Sequence, residues 1–139
     1  MTSRLKIYSD GASRGNPGPS AIAFIALTED GKMLKRFSKY VGTKTNNQAE
    51  YEALISALEF ACEKADHVVC YMDSELLVKQ MNRDYRVRDA KLKGLWLKAD
   101  QLVQRFSKVT FVHVSRTDAH IQVVDELANL ALDTVHEDQ

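Results

Sequence analysis

This sequence has no long hydrophobic run, no internal repeat and no low-complexity segment. No apolar stretch approaches the ~18 residues that cross a bilayer, so a membrane protein is not expected. Composition does not change along the chain, which predicts a single domain over residues 1–139. The first residues lead into a strand-like run without a targeting pattern, so the predicted location is the cytoplasm.

Cysteine is also scarce. The chain contains only Cys62 and Cys70, which are too few for a disulfide framework or a cysteine-based zinc site. We expect two reduced and partly buried thiols. A disulfide between them is the open alternative, since a helix and a strand could approach each other at these positions.

Neither sign of charge is in excess, because 19 basic residues balance 19 acidic ones. A protein that coats nucleic acid by bulk electrostatics is therefore not expected. The charges are unevenly placed, however. Residues 83–98 contain six basic and two acidic side chains, whereas residues 118–139 contain six acidic side chains and neither lysine nor arginine. The basic segment is either a surface that meets a phosphate backbone or a solvated helix face.

Hydrophobic periodicity and turn residues predict five strands and four helices. The strands are expected at residues 4–9, 20–28, 32–41, 68–72 and 109–114, and the helices at about 46–64, 75–82, 92–106 and 121–136. Asp30-Gly31 is a strong turn dipeptide and predicts a hairpin between the second and third strands. The order βββαβααβα predicts an α/β fold with a mixed five-stranded sheet, three strands antiparallel and two parallel, flanked by helices.

Four carboxylates stand where acidic side chains are poorly placed for packing. Asp10 and Asp73 each end an apolar strand-like run. Glu50 lies one turn into a helix, and Asp125 lies in the first turns of the last helix. Taken singly, the aspartates could be turn or helix caps. Together the four predict a cleft that binds divalent cations, since hard cations such as Mg²⁺ prefer oxygen ligands.

A cluster of this kind suits one reaction in particular. Two divalent ions held ~3.5–4 Å apart catalyse in-line displacement at a phosphodiester. Several carboxylates are needed because the cations and the incoming phosphate must be balanced in one place, and the cations relieve the mutual repulsion of the carboxylates. The predicted chemistry is metal-assisted phosphodiester hydrolysis.

Four motifs follow one another along the chain. They are Tyr8-Ser9-Asp10-Gly11 with Gly15-Asn16-Pro17-Gly18-Pro19, then Thr45-Asn46-Asn47-Gln48-Ala49-Glu50, then Met72-Asp73-Ser74, and last Val124-Asp125-Glu126-Leu127-Ala128-Asn129. In this order and spacing they resemble type 1 ribonuclease H, over essentially the whole chain. The resemblance implies a ribonuclease H-like fold and hydrolysis of the RNA strand of RNA/DNA hybrids, leaving 3′-hydroxyl and 5′-phosphate ends.

The resemblance also assigns roles to residues. It makes two Mg²⁺ ions the cofactor, with Mn²⁺ as the alternative, held by the catalytic carboxylates Asp10, Glu50, Asp73 and Asp125. Contacts to the minor groove of the hybrid would come from Ser13, Asn16, Asn46 and Asn47. Amide groups both donate and accept, which suits the 2′-hydroxyls displayed in an A-like minor groove. A monomer without a membrane partner is expected.

Two departures from the family pattern are visible. Many members carry a long basic insertion after the third carboxylate, whereas residues 84–93 here are short and modestly basic. The chain therefore resembles the compact, archaeal-like branch without that protrusion, and weaker, more salt-sensitive binding is expected. Many members also place a flexible histidine before the last carboxylate. Here His120 and Arg116 are both candidates to assist catalysis.

Two other function classes stay open from the sequence. One is a different nuclease on the same fold, acting on double-stranded RNA or branched DNA, since fold alone does not fix the substrate. The other is a non-catalytic module that binds hybrids. The intact acidic set disfavours the second class, because four carboxylates without metal would repel a phosphate backbone.

Overall fold

A computed structural model describes residues 2–137, which build a five-stranded sheet covered by helices. The strands are β1 (Thr2–Ser13), β2 (Gly18–Thr28), β3 (Met33–Lys44), β4 (Ala65–Met72) and β5 (Lys108–His113). The helices are α1 (Asn46–Ala61), α2 (Glu75–Met81), α3 (Ala90–Val103) and α4 (Ala119–Glu137). This element order is the one predicted from the sequence.

The sheet order is β3-β2-β1-β4-β5, with β1 at the centre. β1 pairs antiparallel with β2, and β2 pairs antiparallel with β3. β4 pairs parallel with β1, and β5 pairs parallel with β4. The predicted mixed sheet of three antiparallel and two parallel strands is confirmed.

The two faces of the sheet are covered by different helices. Leu5 and Ile7 of β1 pack in a core cluster with the apolar stripe of α1, whereas Tyr8 packs in a second cluster with Ile121 and Val124 of α4. Successive side chains of a strand point to opposite faces, so α1 and α4 lie on opposite sides of β1. The central strand therefore carries residues that both helices can approach.

β1 runs further than the sequence pattern predicted. Asp10 was expected at the end of the strand, but Gly11, Ala12 and Ser13 continue the antiparallel ladder with β2. The parallel pairing with β4 stops earlier, at Tyr8 opposite Tyr71. Asp10 therefore lies inside β1 but beyond the last residue paired with β4. At that point the sheet splits, which leaves room beside Asp10.

Two helix starts are fixed by capping side chains. Thr45 caps α1 through a capping box, in which its hydroxyl accepts from the Gln48 backbone N–H and the Gln48 side chain accepts from the Thr45 N–H. This leaves the side chains of Asn46 and Asn47 outside the cap. Ser74 caps α2 by accepting from the Leu77 N–H.

Cys62 and Cys70 are not bonded to each other in this structure, and Cys70 is buried. Burial raises the pKa of Cys70 and keeps its thiol neutral. Within residues 2–137, none of the helices combines the length and the apolar character that crossing a membrane requires.

Candidate active site

Three of the predicted carboxylates form a tight cluster. Asp10, Glu50 and Asp73 each offer a carboxylate oxygen, and these oxygens lie within 4.8 Å of one another. They come from three different elements: β1, α1 and the segment between β4 and α2. Asp10 is 4% exposed. Residues 40 and 23 positions apart in sequence are thus brought to one point by the sheet split described above.

The approach of α1 to β1 depends on Gly11. A Cβ atom at Gly11 would lie 2.4 Å from the carbonyl carbon of Ala49 and 2.6 Å from the backbone nitrogen of Glu50. Only a residue without a side chain lets the strand and the helix approach so closely. The Gly11 N–H then donates to Glu50 Oε1 at 3.1 Å. The glycine therefore places Glu50 beside Asp10 and orients its carboxylate.

The electrostatics of the cluster are unfavourable without a counter-charge. Burial raises the pKa of Asp10, and the charge of Glu50 and a hydrogen bond with it raise this pKa further. Burial also raises the pKa of Glu50. In the metal-free protein, therefore, two negative charges at this point are disfavoured, and binding of a proton by Asp10 is favoured. A bound cation would replace that proton by neutralising both groups.

The donor set suits a hard divalent cation. All three members are carboxylates, which are the ligands that Mg²⁺ and Mn²⁺ prefer. Glu50 Oε2 is buried and receives no hydrogen bond from an N–H or hydroxyl group within the described residues. A buried carboxylate oxygen left in that state is costly unless a ligand completes it. The cluster therefore fits the cofactor that the sequence predicted.

The fourth predicted carboxylate joins the other three at one cleft. A cavity of about 620 Å³ is lined by Asp10, Glu50, Asp73 and Asp125 together. Asp125 is exposed on α4 and lies outside the tight cluster. The cleft therefore has a partly buried acidic floor from three elements and one acidic side chain on the α4 side.

The predicted substrate-contacting residues lie around the same cleft. Ser13, Asn46 and Asn47 line it directly. Asn16 lines an adjoining cavity, which Asn47 also borders, and Asn16 Oδ1 accepts a hydrogen bond of 3.0 Å from the Asn46 N–H. The turn after β1 and the start of α1 thus form one continuous polar rim.

The hydroxyl of Ser13 is used within the fold. It donates to the carbonyl oxygens of Gly15 and Lys44 at 2.5 and 3.0 Å. Ser13 therefore closes the turn through its hydroxyl.

The structure separates the two candidates for assisting catalysis. Arg116 lines the cleft and is exposed. The ring of His120 instead packs on Tyr8, with ring centroids 4.6 Å apart, and Tyr8 in turn stacks on Tyr71 at 4.6 Å. Among the described residues that line the cleft, His120 is absent.

Several residues of the cleft were not singled out from the sequence. Gln122 and Asn129 line it beside Asp125. They lie three residues before and four residues after Asp125, the spacing of side chains that share a helix face. Applying that spacing to Asp125 would have found both. Gly11 was named from the sequence only as part of the first motif, and no local signal marks its contact with Ala49.

The region of the missing protrusion is short in the structure. Eight residues, 82–89, join α2 to α3. The segment leads directly from one helix to the cap of the next, where Asp89 accepts from the Leu92 N–H at 3.0 Å. No inserted element therefore stands beside the cleft within the described part of the chain.

Known proteins resemble this chain in amino-acid sequence. Residues 8–131 match the family model described as reverse transcriptase-like. Ribonuclease HI of Halobacterium salinarum is 40% identical over 131 residues, which cover 94% of this chain and 65% of that protein. The bifunctional protein Rv2228c of Mycobacterium tuberculosis is 36% identical over 132 residues, covering 94% of this chain. The chain spans only 36% of the length of that mycobacterial relative.

Solved structures resemble this chain in fold. The crystal structure of RNase H1 from Halobacterium salinarum aligns with a TM-score of 0.90 at 39% identity, covering 95% of this chain and 99% of that one. LC11-RNase H1, solved in complex with an RNA/DNA hybrid, aligns with a TM-score of 0.87 at 40% identity, covering 94% of this chain and 98% of that one. On its sequence motifs, its sheet and these relatives, the chain belongs to the type 1 ribonuclease H family.

Proposed function

We propose that this protein is a metal-dependent endoribonuclease that hydrolyses the RNA strand of RNA/DNA hybrids. The observation that carries the proposal is the convergence of four carboxylates, from four separate parts of the chain, on one cleft with an amide-bearing rim. The hybrid bound to LC11-RNase H1 supports the substrate class. The reaction adds water across the P–O3′ bond, which leaves a 3′-hydroxyl end and a 5′-phosphate end.

The acidic floor would hold the cofactor. Asp10, Glu50, Asp73 and Asp125 would bind two divalent cations, Mg²⁺ first and Mn²⁺ as the alternative. When bound, such ions lower the pKa of an attacking water and stabilise the departing oxygen. The protein's own contribution is the placement of the ligands. Gly11 fixes the backbone of α1 against β1 and holds Glu50 Oε1 by its N–H.

The polar rim would select the substrate. The side-chain oxygen Oδ1 of Asn16 accepts a hydrogen bond from the Asn46 N–H. The side-chain NH₂ group of Asn16 therefore remains available to donate to a substrate. Asn46 and Asn47 are exposed at the first turn of α1. Amide groups beside a minor groove distinguish RNA from DNA through the 2′-hydroxyl, which both donates and accepts. This requirement favours a hybrid over a DNA duplex.

Arg116 would supply a fixed positive charge on the open side of the cleft. A planar guanidinium binds phosphate oxygens in a fork geometry. It would therefore stabilise the charge that develops on the phosphate during displacement. His120 would act through packing on Tyr8, which anchors the start of α4, and not through contact with substrate.

The first experiment is cleavage of an end-labelled RNA/DNA hybrid in the presence of Mg²⁺, Mn²⁺ or EDTA. We expect the RNA strand alone to be cut, only with metal, and Asp10→Asn to be inactive. Ligation or phosphatase sensitivity of the products would identify the ends. Binding of the hybrid without cleavage under either metal would contradict the proposal and favour a hybrid-binding module.

Substrate range needs its own comparison. Double-stranded RNA, branched DNA and the hybrid would be offered at equal concentration with the same metal. The asparagine rim predicts cleavage of the hybrid in preference to branched DNA, and the hybrid bound to LC11-RNase H1 supports preference over double-stranded RNA. Equal or faster cleavage of branched DNA would reassign the protein to another nuclease class on this fold.

A further inference from the structure

Asp125 differs from the other three carboxylates in how it is held. Asp10, Glu50 and Asp73 are packed together, whereas Asp125 is exposed on α4. It is in hydrogen-bond contact with Asn129, one turn further along the helix. The Asn129 side-chain amide donates to the Asp125 carbonyl oxygen at 2.9 Å and approaches Asp125 Oδ1 at 3.4 Å. The location of Asp125 over the cleft therefore depends on where this part of α4 lies.

Arg14 reaches that part of α4 from the turn between β1 and β2. Its Nη2 donates to Asp133 Oδ1 at 2.5 Å and approaches the Asn129 carbonyl oxygen at 3.4 Å. The two ends of this contact are separated by 115 to 119 positions in the sequence. Asn129 thus touches Arg14 through its backbone and Asp125 through its side chain.

The backbone of Arg14 is firmly held. Its N–H donates to the Pro19 carbonyl oxygen at 2.8 Å. A Cβ atom at Gly18 would lie 2.4 Å from the Arg14 carbonyl oxygen, so the turn closes tightly on this residue. The same turn carries Asn16, which lies on the rim of the cleft. Arg14 therefore connects a fixed point on the β1–β2 hairpin to α4.

We propose that Arg14 is a positioning residue that sets the place of Asp125 through Asp133 and Asn129. The inference rests on the proposed function, in which Asp125 is a metal ligand. An exposed ion pair contributes little to global stability, but a small displacement of a group at a reacting centre has a large effect on rate. The contact also joins the substrate rim to the fourth carboxylate.

The test uses Arg14→Ala, Asp133→Ala, the double variant and the charge-reversed pair Arg14→Asp with Asp133→Arg. We expect each single variant to lower kcat for the hybrid by about tenfold with little change in KM, as for other residues that orient metal ligands. The double variant should be no worse than either single one, and charge reversal should restore part of the loss. Arg4→Ala, which removes the exposed Arg4–Glu29 pair of 3.1 Å at a distant site, is the control and should leave kcat unchanged.

A second readout does not depend on cleavage. Binding of Mn²⁺ alone is measured by calorimetry on the same proteins. Positioning predicts that both single variants bind Mn²⁺ more weakly. A purely electrostatic effect predicts opposite signs, because removing a cation would strengthen metal binding and removing an anion would weaken it. Opposite signs would overturn the proposal, as would a rise in KM confined to Arg14→Ala, which would make Arg14 a substrate contact.

The two readouts separate the inference from the proposed function. If the wild-type protein does not cleave the hybrid but both variants bind Mn²⁺ more weakly, the function is wrong and the role of Arg14 stands. If the wild-type protein cleaves and the variants match it in kcat and in Mn²⁺ binding, the function stands and the role of Arg14 is wrong.

Discussion

Gly11 lies so close to Ala49 that a Cβ atom on it would be 2.4 Å from the Ala49 carbonyl carbon. The atoms on both sides of this contact are backbone atoms, which cannot move aside as the end of a flexible side chain would. Through this contact β1 and α1 meet, and Glu50 comes to lie beside Asp10. The geometry of the acidic floor is therefore set by backbone packing before any side chain is considered.

Gly11→Ala should consequently be harmful to both stability and activity. We expect the free energy of unfolding to fall by about 1–3 kcal/mol, the usual cost of overpacking, and hybrid cleavage to fall further because Glu50 is displaced. Denaturant unfolding and single-turnover cleavage measure the two effects. The matched control is Gly94→Ala in α3, where a Cβ atom meets nothing within 4 Å. That change should stabilise the protein by about 0.5–1 kcal/mol and leave cleavage unchanged.

Asp10→Asn should lower activity and raise stability. Cleavage should be lost, because a metal ligand and its charge are removed. The free energy of unfolding without metal should rise by about 1 kcal/mol or more at neutral pH, since the variant needs neither a bound proton nor a second negative charge beside Glu50, and one pKa unit corresponds to ~1.4 kcal/mol. Thermal unfolding in EDTA and in excess Mg²⁺ would test this. A variant that is less stable than the wild type in EDTA would contradict it.

The pH dependence of stability in the metal-free protein follows from the same pair. The folded-state pKa values of Asp10 and Glu50 are raised above their ordinary values, so the folded protein binds more protons than the unfolded chain. Carboxyl groups with raised pKa values make their full contribution to the free energy of unfolding below about pH 4, where they are protonated in both the folded and the unfolded protein. This contribution is lost as the pH rises toward their folded-state pKa values. We therefore expect the stability advantage of Asp10→Asn to grow between pH 5 and pH 8.

Other groups also titrate over that range, so the comparison is between the two proteins at each pH. Denaturant unfolding in EDTA gives the difference directly. A difference that stays constant from pH 5 to pH 8 would show that Asp10 titrates normally. Saturating Mg²⁺ should remove the trend, because the positive charge of the cation favours the ionised carboxylates.

The fold was largely predictable because its signals are local. The Asp30-Gly31 turn, the apolar stripe of α1 and the polar breaks between elements all act over a few residues, and each predicted element is present. The differences between the predicted and the observed elements lie at the first and last residues of the strands and helices. The strand β4 begins at Ala65, three residues before its apolar run, because Thr2 and Arg4 of β1 pair with residues 65 and 67. Pairing partners distant in sequence extend a strand beyond what its own pattern shows.

The acidic residues that meet at the cleft could be predicted from the sequence, but the residues that position them could not. The four carboxylates were found because acidic residues beside apolar strands are conspicuous, and the four motifs resembled a family. Gly11 and Arg14 were missed in their roles, since each depends on a contact with a helix that the local sequence does not reveal. For Arg14 the partner lies more than a hundred residues away. The prediction of a single domain over residues 1–139 stays a prediction.

Arg116 and His120 should respond differently to removal. Arg116→Ala should lower turnover by about 10²-fold or more, the usual effect of removing one group that stabilises transition-state charge, without altering stability. His120→Ala should leave turnover nearly intact and reduce stability, because its ring packs on Tyr8. Steady-state kinetics and thermal unfolding on both variants decide the matter. Lost turnover in a fully stable His120→Ala protein would instead make the histidine the catalytic group.

Salt should weaken this protein's hold on its substrate at modest concentrations. Only residues 82–89 join α2 to α3, so this region adds few basic side chains to the contacts made by the cleft. The affinity for the substrate therefore depends on a small number of phosphate contacts. Added salt lowers nucleic-acid affinity through counterion release. We expect kcat/KM to fall steeply between about 50 and 200 mM salt, while kcat at saturating hybrid stays nearly constant.

The contribution of a single phosphate contact can be read from the same titration. Lys91 borders the cavity shared by Asn16 and Asn47, next to the proposed path of the backbone. Lys91→Ala should reduce the slope of log(kcat/KM) against log salt by about one, as expected for one lost phosphate contact. Lys35→Ala, near the hairpin at the opposite end of β3, is the control and should leave the slope unchanged. Equal slopes in all three proteins would place the substrate backbone elsewhere, and a kcat/KM independent of salt would show that binding does not depend on phosphate contacts.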